Sequence, residues 1–194
     1  VVSFKTGAVH SLRTFVNGLN YYLPRDIAVK MAHRVRDAFN VRRHAVSREY
    51  NYYTLNSLTR SPLREGYSYR VSGRLDIEAM NQACQALTGE HDFASFTSGS
   101  GVEIENTVRR VHRAEMRKDG ELVVFNIVAN AFLPHQVRNT AGALIRVGLG
   151  KMNCDEFYSI MEAKRLGLGG PSAPACGLYL MQVNYPHPFE EGVF

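Results

Sequence analysis

The stretch that decides the fold is TVRRVHRAEMRKDGELVVFNIVAN, residues 107–130. Near its middle, the dipeptide Asp119-Gly120 favours a tight hairpin turn, because such a turn needs residues that tolerate positive φ. Residues 107–117 and 121–130 flank this dipeptide and are long enough to form strands. The stretch therefore predicts two antiparallel strands joined at Asp119-Gly120.

The spacing of apolar residues divides the rest of the chain into helical and extended segments. Helices are expected over residues 11–22, from Asp76 as N-cap to Gly89, from Pro134 as a first helical residue, and over residues 155–164. Strands are expected over residues 1–5, 26–35, 48–55, 67–71 and 178–183. Residues 99–101 are expected to form a loop.

Strands joined by hairpins, with helices to cover one face, indicate an α+β fold built on an antiparallel sheet. We expect an N-terminal subdomain over residues 1–66, a C-terminal α+β subdomain over residues 67–188, and a tail over residues 189–194.

The composition is that of an ordinary globular protein, with 45% hydrophobic and 21% charged residues in a chain of 194. No apolar run approaches the ~20 residues that would span a bilayer, and nothing resembles a signal peptide. The three cysteines are far apart and do not have zinc spacing. They read as free thiols in a reducing compartment, so a cytoplasmic location is expected.

The positive charge is concentrated in the first part of the chain. Residues 1–78 hold 13 Lys and Arg against 6 Asp and Glu, whereas residues 79–194 hold 10 against 12. All but five of these cations are Arg, whose planar fork suits phosphate and base recognition. Nucleic acid is therefore the leading class of partner, although charge alone also fits a basic solvated surface.

Two places in the sequence could carry a functional site. Arg48, Tyr50 and Tyr52 alternate along a predicted strand and share one face, which fits either a platform for unstacked bases or a plain aromatic core pair. Arg138 lies in the first turn of a predicted helix, where a cation opposes the helix dipole. That placement suggests a carboxylate or phosphate partner, and the alternative is a side chain that extends to solvent.

Five short pieces of the chain, in order and at compatible spacing, are typical of one enzyme family. They are NYYLPRDIAV at 20–29, REYNY at 48–52, GEHDF at 89–93 with Ser95-Phe96, NAFL at 130–133 running into Val137-Arg138-Asn139, and GLYL at 177–180. Together they resemble the C-terminal two-thirds or more of a tRNA pseudouridine synthase A.

The resemblance implies an isomerisation. A uridine at position 38, 39 or 40 of the tRNA anticodon stem-loop is detached at its glycosidic bond, turned and rejoined through carbon 5, with no cofactor. The target base has to leave the stack to be reached. The resemblance also implies a homodimer whose basic cleft holds the tRNA.

The same resemblance implies roles for individual residues. Tyr50 matches the active-site tyrosine that packs on the target base, and because a neutral phenol is a poor base, stacking is its expected role. Arg138 matches the arginine that pairs with the catalytic aspartate. Leu178 matches the apolar residue lining the base pocket, although an ordinary core leucine fits equally well. The expected RNA contacts are Arg13, Arg42, Arg43 and Arg48.

The chain departs from the family at the nucleophile. The family's aspartate lies in a Gly-Arg-Thr-Asp motif just before a Val-Val strand, and this sequence starts at Val1-Val2 without that motif. We therefore expect the aspartate to lie upstream and residues 1–194 alone to be inactive. The alternatives are a non-catalytic RNA-binding α+β module, which the lack of an RNP-type aromatic run disfavours, and a structural dimer-forming domain, which the uneven charge disfavours.

Overall fold

The computed structural model describes residues 1–98 and 105–186. The loop expected at 99–101 and the tail expected at 189–194 lie outside these residues. The chain forms two compact units, one comprising Val1–Val46 with the chain from Asn184 and the other comprising Ser47–Val183. This division differs from the one expected at residue 66, because residues 54–56 and 69–71, on either side of it, pair as strands. As a functional boundary, residue 66 stays a prediction.

The second unit contains most of the regular structure. Its strands are β1 (Ser47–Asn56), β2 (Tyr69–Val71), β3 (Gly89–Asp92), β4 (Val108–Asp119), β5 (Leu122–Ala129) and β6 (Leu178–Asn184). The helices of the described chain are α1 (Leu12–Tyr22), which lies in the first unit, and α2 (Ile77–Gln85), α3 (Gln136–Gly148) and α4 (Cys154–Glu162). This mixture confirms the α+β class.

The strands form one sheet in the order β2-β1-β5-β4-β3, and β6 also pairs with β1. The β1–β5, β4–β5 and β3–β4 pairs are antiparallel as expected. The β1–β2 pair is parallel, which corrects the expectation of a purely antiparallel sheet. The twelve residues between Asn56 and Tyr69 make this possible, because a parallel pair needs a crossover of about that length.

The predicted hairpin is confirmed. Asp119 on β4 pairs with Leu122 on β5, and Gly120 has φ +57°, a conformation that glycine adopts without strain. The side chains of β5 then alternate between a buried face toward the core and a less buried face, on which Asn126 is the polar residue. Its apolar residues meet α2, α3 and α4 in one core; these are Val123, Phe125, Ile127 and Ala129.

The opposite face of the sheet carries a polar network. The Asn126 amide nitrogen donates to a Glu49 carboxylate oxygen at 2.6 Å, and Arg113 Nε donates to Asn126 Oδ1 at 2.9 Å. A second Arg113 nitrogen donates to the same Glu49 oxygen at 3.1 Å. The helices therefore cover one face of the sheet, as expected.

The local helix signals hold at α2 and α4 but not at the start of α3. Asp76 caps α2 by accepting from the Ala79 N–H, and Asn153 caps α4 through a capping box with Glu156. Pro134 is not a helical residue, which corrects the expected start. The helix begins at Gln136, after His135 takes a left-handed conformation with φ 59°.

Two expected strands in the first unit are wrong. Residues 26–35 form no strand, because the Asn20 side-chain amide occupies both backbone groups of Val29, donating to its carbonyl at 2.9 Å and accepting from its N–H at 2.7 Å. Residues 1–5 are exposed and have no partner strand within the described residues. Extended, apolar character does not make a strand unless another segment pairs with it.

Burial separates Cys84 from the other two cysteines. Its side chain is fully buried on α2, and desolvation, with a smaller effect of Glu115, raises the pKa of the thiol to about 12. Cys154 and Cys176 are half-buried. Because the thiolate is the reactive species, Cys84 should resist alkylation.

In the folded protein at pH 8, we expect iodoacetamide to label Cys154 and Cys176 but not Cys84, whereas unfolding in guanidinium chloride exposes all three thiols. Mass spectrometry of the digested protein reads out each site. Rapid labelling of Cys84 in the folded protein would contradict the burial of its side chain on α2.

The segment before β6 packs tightly on α3. A Cβ added at Gly142 in α3 would lie 2.5 Å from the carbonyl oxygen of Pro171. The Ala173 N–H also donates to the Arg138 carbonyl at 3.0 Å, so this segment follows the helix closely. Gly142 is therefore required by close approach rather than by an unusual backbone conformation.

We expect Gly142→Ala to lower the free energy of unfolding by about 1–3 kcal/mol, because the new methyl group overpacks the contact with Pro171. The matched control is Gly18→Ala in α1, where nothing lies within 4 Å of the added Cβ. That substitution should stabilise α1 by about 0.5–1 kcal/mol. Urea unfolding followed by circular dichroism measures both, and a Gly142→Ala protein as stable as wild type would refute the tight packing.

Candidate functional site

Tyr50 lies on β1, on the face of the sheet that the helices cover. Its ring is half-buried and packs edge-on against Phe132, with centroids 5.0 Å apart and an angle of 85° between the ring planes. Phe132 follows β5, in the connection that leads to α3. One edge of the Tyr50 ring is thus fixed by the protein, while part of its surface stays accessible.

Tyr52, two residues further along the same face, is a core residue. Its side chain is 1% exposed, and its hydroxyl donates to the Pro174 carbonyl at 2.8 Å. Burial raises the pKa of this phenol, and nearby Cys176 and Tyr69 raise it further. Of the two tyrosines on this face, Tyr52 therefore stabilises the fold, and Tyr50 is the one that a ligand could reach.

Arg138 is the third residue of α3, in the first helical turn as expected. Its Nε donates to the Ala173 carbonyl at 2.7 Å, and a terminal nitrogen lies 3.4 Å from His135 Nδ1. Within residues 1–98 and 105–186, no carboxylate lies within 4.0 Å of this guanidinium. Because an arginine has five N–H donors, further donors remain for an acidic partner.

Two consecutive carbonyls connect these parts of the site. Ala173 accepts from Arg138 on α3, and Pro174 accepts from Tyr52 on β1. The chain then makes a short turn, Ala175–Gly177, and enters β6 at Leu178, which packs half-buried against the core. The structure thus ties Arg138 to β1 and places Leu178 a few residues further along the connecting segment.

A layer of buried polar side chains lies at the start of α3, and the sequence analysis did not find it. Gln136 Oε1 accepts from the Leu133 N–H at 2.8 Å, and Asn139 hydrogen-bonds to Ser172. Gln136, Asn139 and Thr140 are all buried. The sequence could have indicated this layer, because these three polar residues lie on the inward face of an otherwise apolar helix. Burying polar side chains costs free energy unless they are hydrogen-bonded.

The four arginines expected to contact RNA are divided between the two units. Arg13 on α1 and Arg42 and Arg43 before β1 are exposed residues of the first unit. Arg48 belongs to the second unit, and its guanidinium donates to the Asn130 carbonyl at 2.6 Å. Their RNA contacts stay a prediction.

Among the described residues, no cluster of three or more His, Cys, Asp or Glu side chains is suited to hold a metal ion. None of the helices within those residues is both long and apolar enough to cross a membrane.

Comparison with known proteins gives a consistent result. A family model described as tRNA pseudouridine synthase matches residues 83–186. The chain is 41% identical over 194 residues to tRNA pseudouridine synthase A of Legionella pneumophila (strain Corby), a match that covers 97% of the chain and 72% of the relative. It is 39% identical over 186 residues to the protein of the same name from Francisella tularensis subsp. holarctica, covering 96% and 72%. The chain belongs to the tRNA pseudouridine synthase family.

Proposed function

We propose that this protein isomerises uridine to pseudouridine at positions 38, 39 and 40 of the tRNA anticodon arm, in the cytoplasm and as a homodimer. The observation that carries the proposal is Arg138, a half-buried cation in the first turn of α3 with no carboxylate in reach among the described residues. Partial burial of a cation without a counter-charge carries a desolvation cost, so such a site is suited to receive an acidic group.

Each of the chain's own site residues then has a separate role in binding or orienting the reactants. The Ala173 carbonyl and His135 orient the Arg138 guanidinium, which leaves its other N–H groups to hold the catalytic carboxylate. Tyr50, braced by Phe132, stacks on the flipped uracil. Leu178 supplies the apolar wall of the base pocket. These groups bind and orient the base, and the expected attacking group is the aspartate of the family's Gly-Arg-Thr-Asp motif, which residues 1–194 do not contain.

The second candidate function is RNA binding without catalysis. A feature of the sequence favours it: none of the chain's aspartates lies in a Gly-Arg-Thr-Asp motif. Loss of the central group of a catalytic constellation leaves only the binding contribution. We infer that residues 1–194 by themselves bind RNA without turnover.

We expect no tritium release from 5-tritiated uridine in anticodon-arm RNA when residues 1–194 are assayed alone. Fusion to an upstream segment that carries the family's Gly-Arg-Thr-Asp motif should restore release, because that segment supplies the aspartate. Changing that aspartate to Asn should abolish the restored activity. Turnover by residues 1–194 alone, free of host enzyme, would show that the catalytic residue has been misassigned.

Substitutions at Tyr50 separate stacking from a core role. Tyr50→Phe should keep RNA affinity and stability, because the ring face remains. Tyr50→Leu should weaken binding of anticodon-arm RNA by about 1–3 kcal/mol, the value of one base-aromatic stack, with little change in melting temperature. Binding is measured by fluorescence anisotropy, and stability by thermal denaturation.

The matched control is Tyr52→Phe, on the same face of β1. It removes the hydroxyl that donates to the Pro174 carbonyl, so it should cost about 1–3 kcal/mol of stability; because the Tyr50 ring is untouched, the RNA affinity of the folded protein should fall less than in Tyr50→Leu. If Tyr50→Leu instead loses stability in step with affinity, Tyr50 is a core residue and the assigned role is wrong.

A further inference from the structure

The crossover between β1 and β2 carries a set of cations that the candidate site does not use. Residues 57–70 contain Arg60, Arg64 and Arg70 against a single acid, Glu65. All three arginines are exposed, and no carboxylate of the described chain lies within 4.0 Å of any of them. Arg70 donates to the Leu58 carbonyl at 3.2 Å, which braces the crossover against β2.

An exposed aromatic side chain, Tyr67, lies in a tight turn three residues after Arg64. The Tyr67 N–H donates to the Arg64 carbonyl at 3.0 Å, and the Ser68 hydroxyl donates to the same oxygen at 3.3 Å. Gly66 has φ +77°, which allows the chain to turn here without strain. The Tyr67 side chain is 67% exposed, so the turn presents a ring and a guanidinium to solvent together.

The turn is fastened to the sheet by a second aromatic pair. The Tyr179 hydroxyl on β6 donates to the Tyr67 carbonyl at 3.0 Å. The Tyr179 ring packs edge-on against Tyr53 of β1, with centroids 5.2 Å apart, and the Asn51 amide donates to the Tyr53 hydroxyl at 3.1 Å. Tyr67 is therefore presented by a supported backbone, and a ligand need not order it.

This surface is separate from the candidate site. Successive side chains of a strand point to opposite faces, so Tyr53 lies on the face opposite Tyr50. Tyr179 follows Leu178 and faces the opposite side from it for the same reason. A ligand bound at Tyr67 would leave the Tyr50 side of the sheet free.

Guanidinium groups without a carboxylate partner among the described residues, together with an exposed ring, suit a polyanion with stackable bases. Arginine forks bind phosphate oxygens, and a tyrosine face stacks on any unpaired base. A protein partner would be the alternative, because Leu58 and Leu63 are 83% and 91% exposed. The excess of three cations over one acid favours the nucleic acid.

We propose that Arg60, Arg64, Tyr67 and Arg70, the crossover surface, bind an unpaired segment of the tRNA outside the reaction site. The identity of the RNA rests on the proposed function; the surface itself rests on the exposed arginines and the fixed turn. The crossover surface adds a second RNA contact: it binds a loop or junction of the tRNA while the target base occupies the Tyr50 pocket.

The first test compares charge-matched double variants. Titrations of a fluorescent tRNA transcript at several salt concentrations are carried out on wild type, on Arg60→Gln with Arg64→Gln, and on the control Lys151→Gln with Lys164→Gln. Losing two phosphate contacts should reduce the slope of log K against log salt by about 1.4–1.8, whereas the control should keep the wild-type slope. Equal slopes in both double variants would overturn the crossover surface.

The second test locates the ring. Tyr67→Leu should weaken tRNA binding about 5- to 150-fold without changing the salt slope, because stacking and not charge is lost. Photo-crosslinking with 4-thiouridine-substituted tRNA should modify the tryptic peptide of residues 65–70, released by cleavage after Arg64 and Arg70, and Tyr67→Leu should abolish that crosslink. No crosslink in wild type would overturn the proposal.

The outcomes separate this proposal from the proposed function. If wild type binds tRNA with a steep salt dependence but the crossover variants bind equally well, the surface is wrong and the function stands. If wild type itself does not bind tRNA, both fail. If the crossover variants change only the oligomeric state in sedimentation, the surface is an interface between copies of the chain.

Discussion

Two hydrogen bonds, to the neighbouring carbonyls of Ala173 and Pro174, join α3 and β1 to the segment that leads into β6. Ala173 accepts from Arg138 and Pro174 accepts from Tyr52, so one short segment is bonded to both a helix and a strand. The Arg138 bond is charge-assisted, and the Tyr52 bond is partly shielded from water because the Tyr52 side chain is buried, which makes both costly to break. The orientation of Arg138 and the entry of the chain into β6 both depend on this segment.

The same constraint explains the glycines and polar groups around it. Gly142 leaves room for Pro171, and Gly177 leaves room for Tyr52 and the Tyr53 carbonyl, to which an added Cβ would come within 3 Å. Asn139 and Ser172 bond to each other across the same contact. Small side chains permit the close approach of backbone to backbone, which brings Asn139 and Ser172 into hydrogen-bonding range, while Gln136 Nε2 and Thr140 Oγ1 remain buried without a partner among the described residues.

Local signals predicted those parts of the fold that local contacts determine. The Asp119-Gly120 turn, the Asp76 cap and the apolar faces of α2 and α4 depend on residues within a few positions of each other. The failures at residues 1–5 and 26–35 and the parallel β2 depend on which distant segment supplies a partner. Tyr50 and Tyr52 are equivalent in the sequence pattern. Tyr52 is the buried one, and its hydroxyl partner, the Pro174 carbonyl, lies 122 residues away in the chain. The family's motif residues indicated Arg138, but the bonds that orient it could not be predicted from their spacing.

The bond from Tyr52 to Pro174 also has a consequence for how the protein is made. It closes a loop of 122 residues, and β6, which follows it, is the last strand within the described residues. Joining such distant segments carries an entropic cost that must be met before the contact stabilises anything, so this closure is intrinsically slow. On the ribosome, the β4–β5 hairpin and the helices can form while β1 still lacks its β6 neighbour. The proposed base pocket is therefore assembled after these elements, and a nascent chain cannot complete it until the segment through β6 has been synthesised.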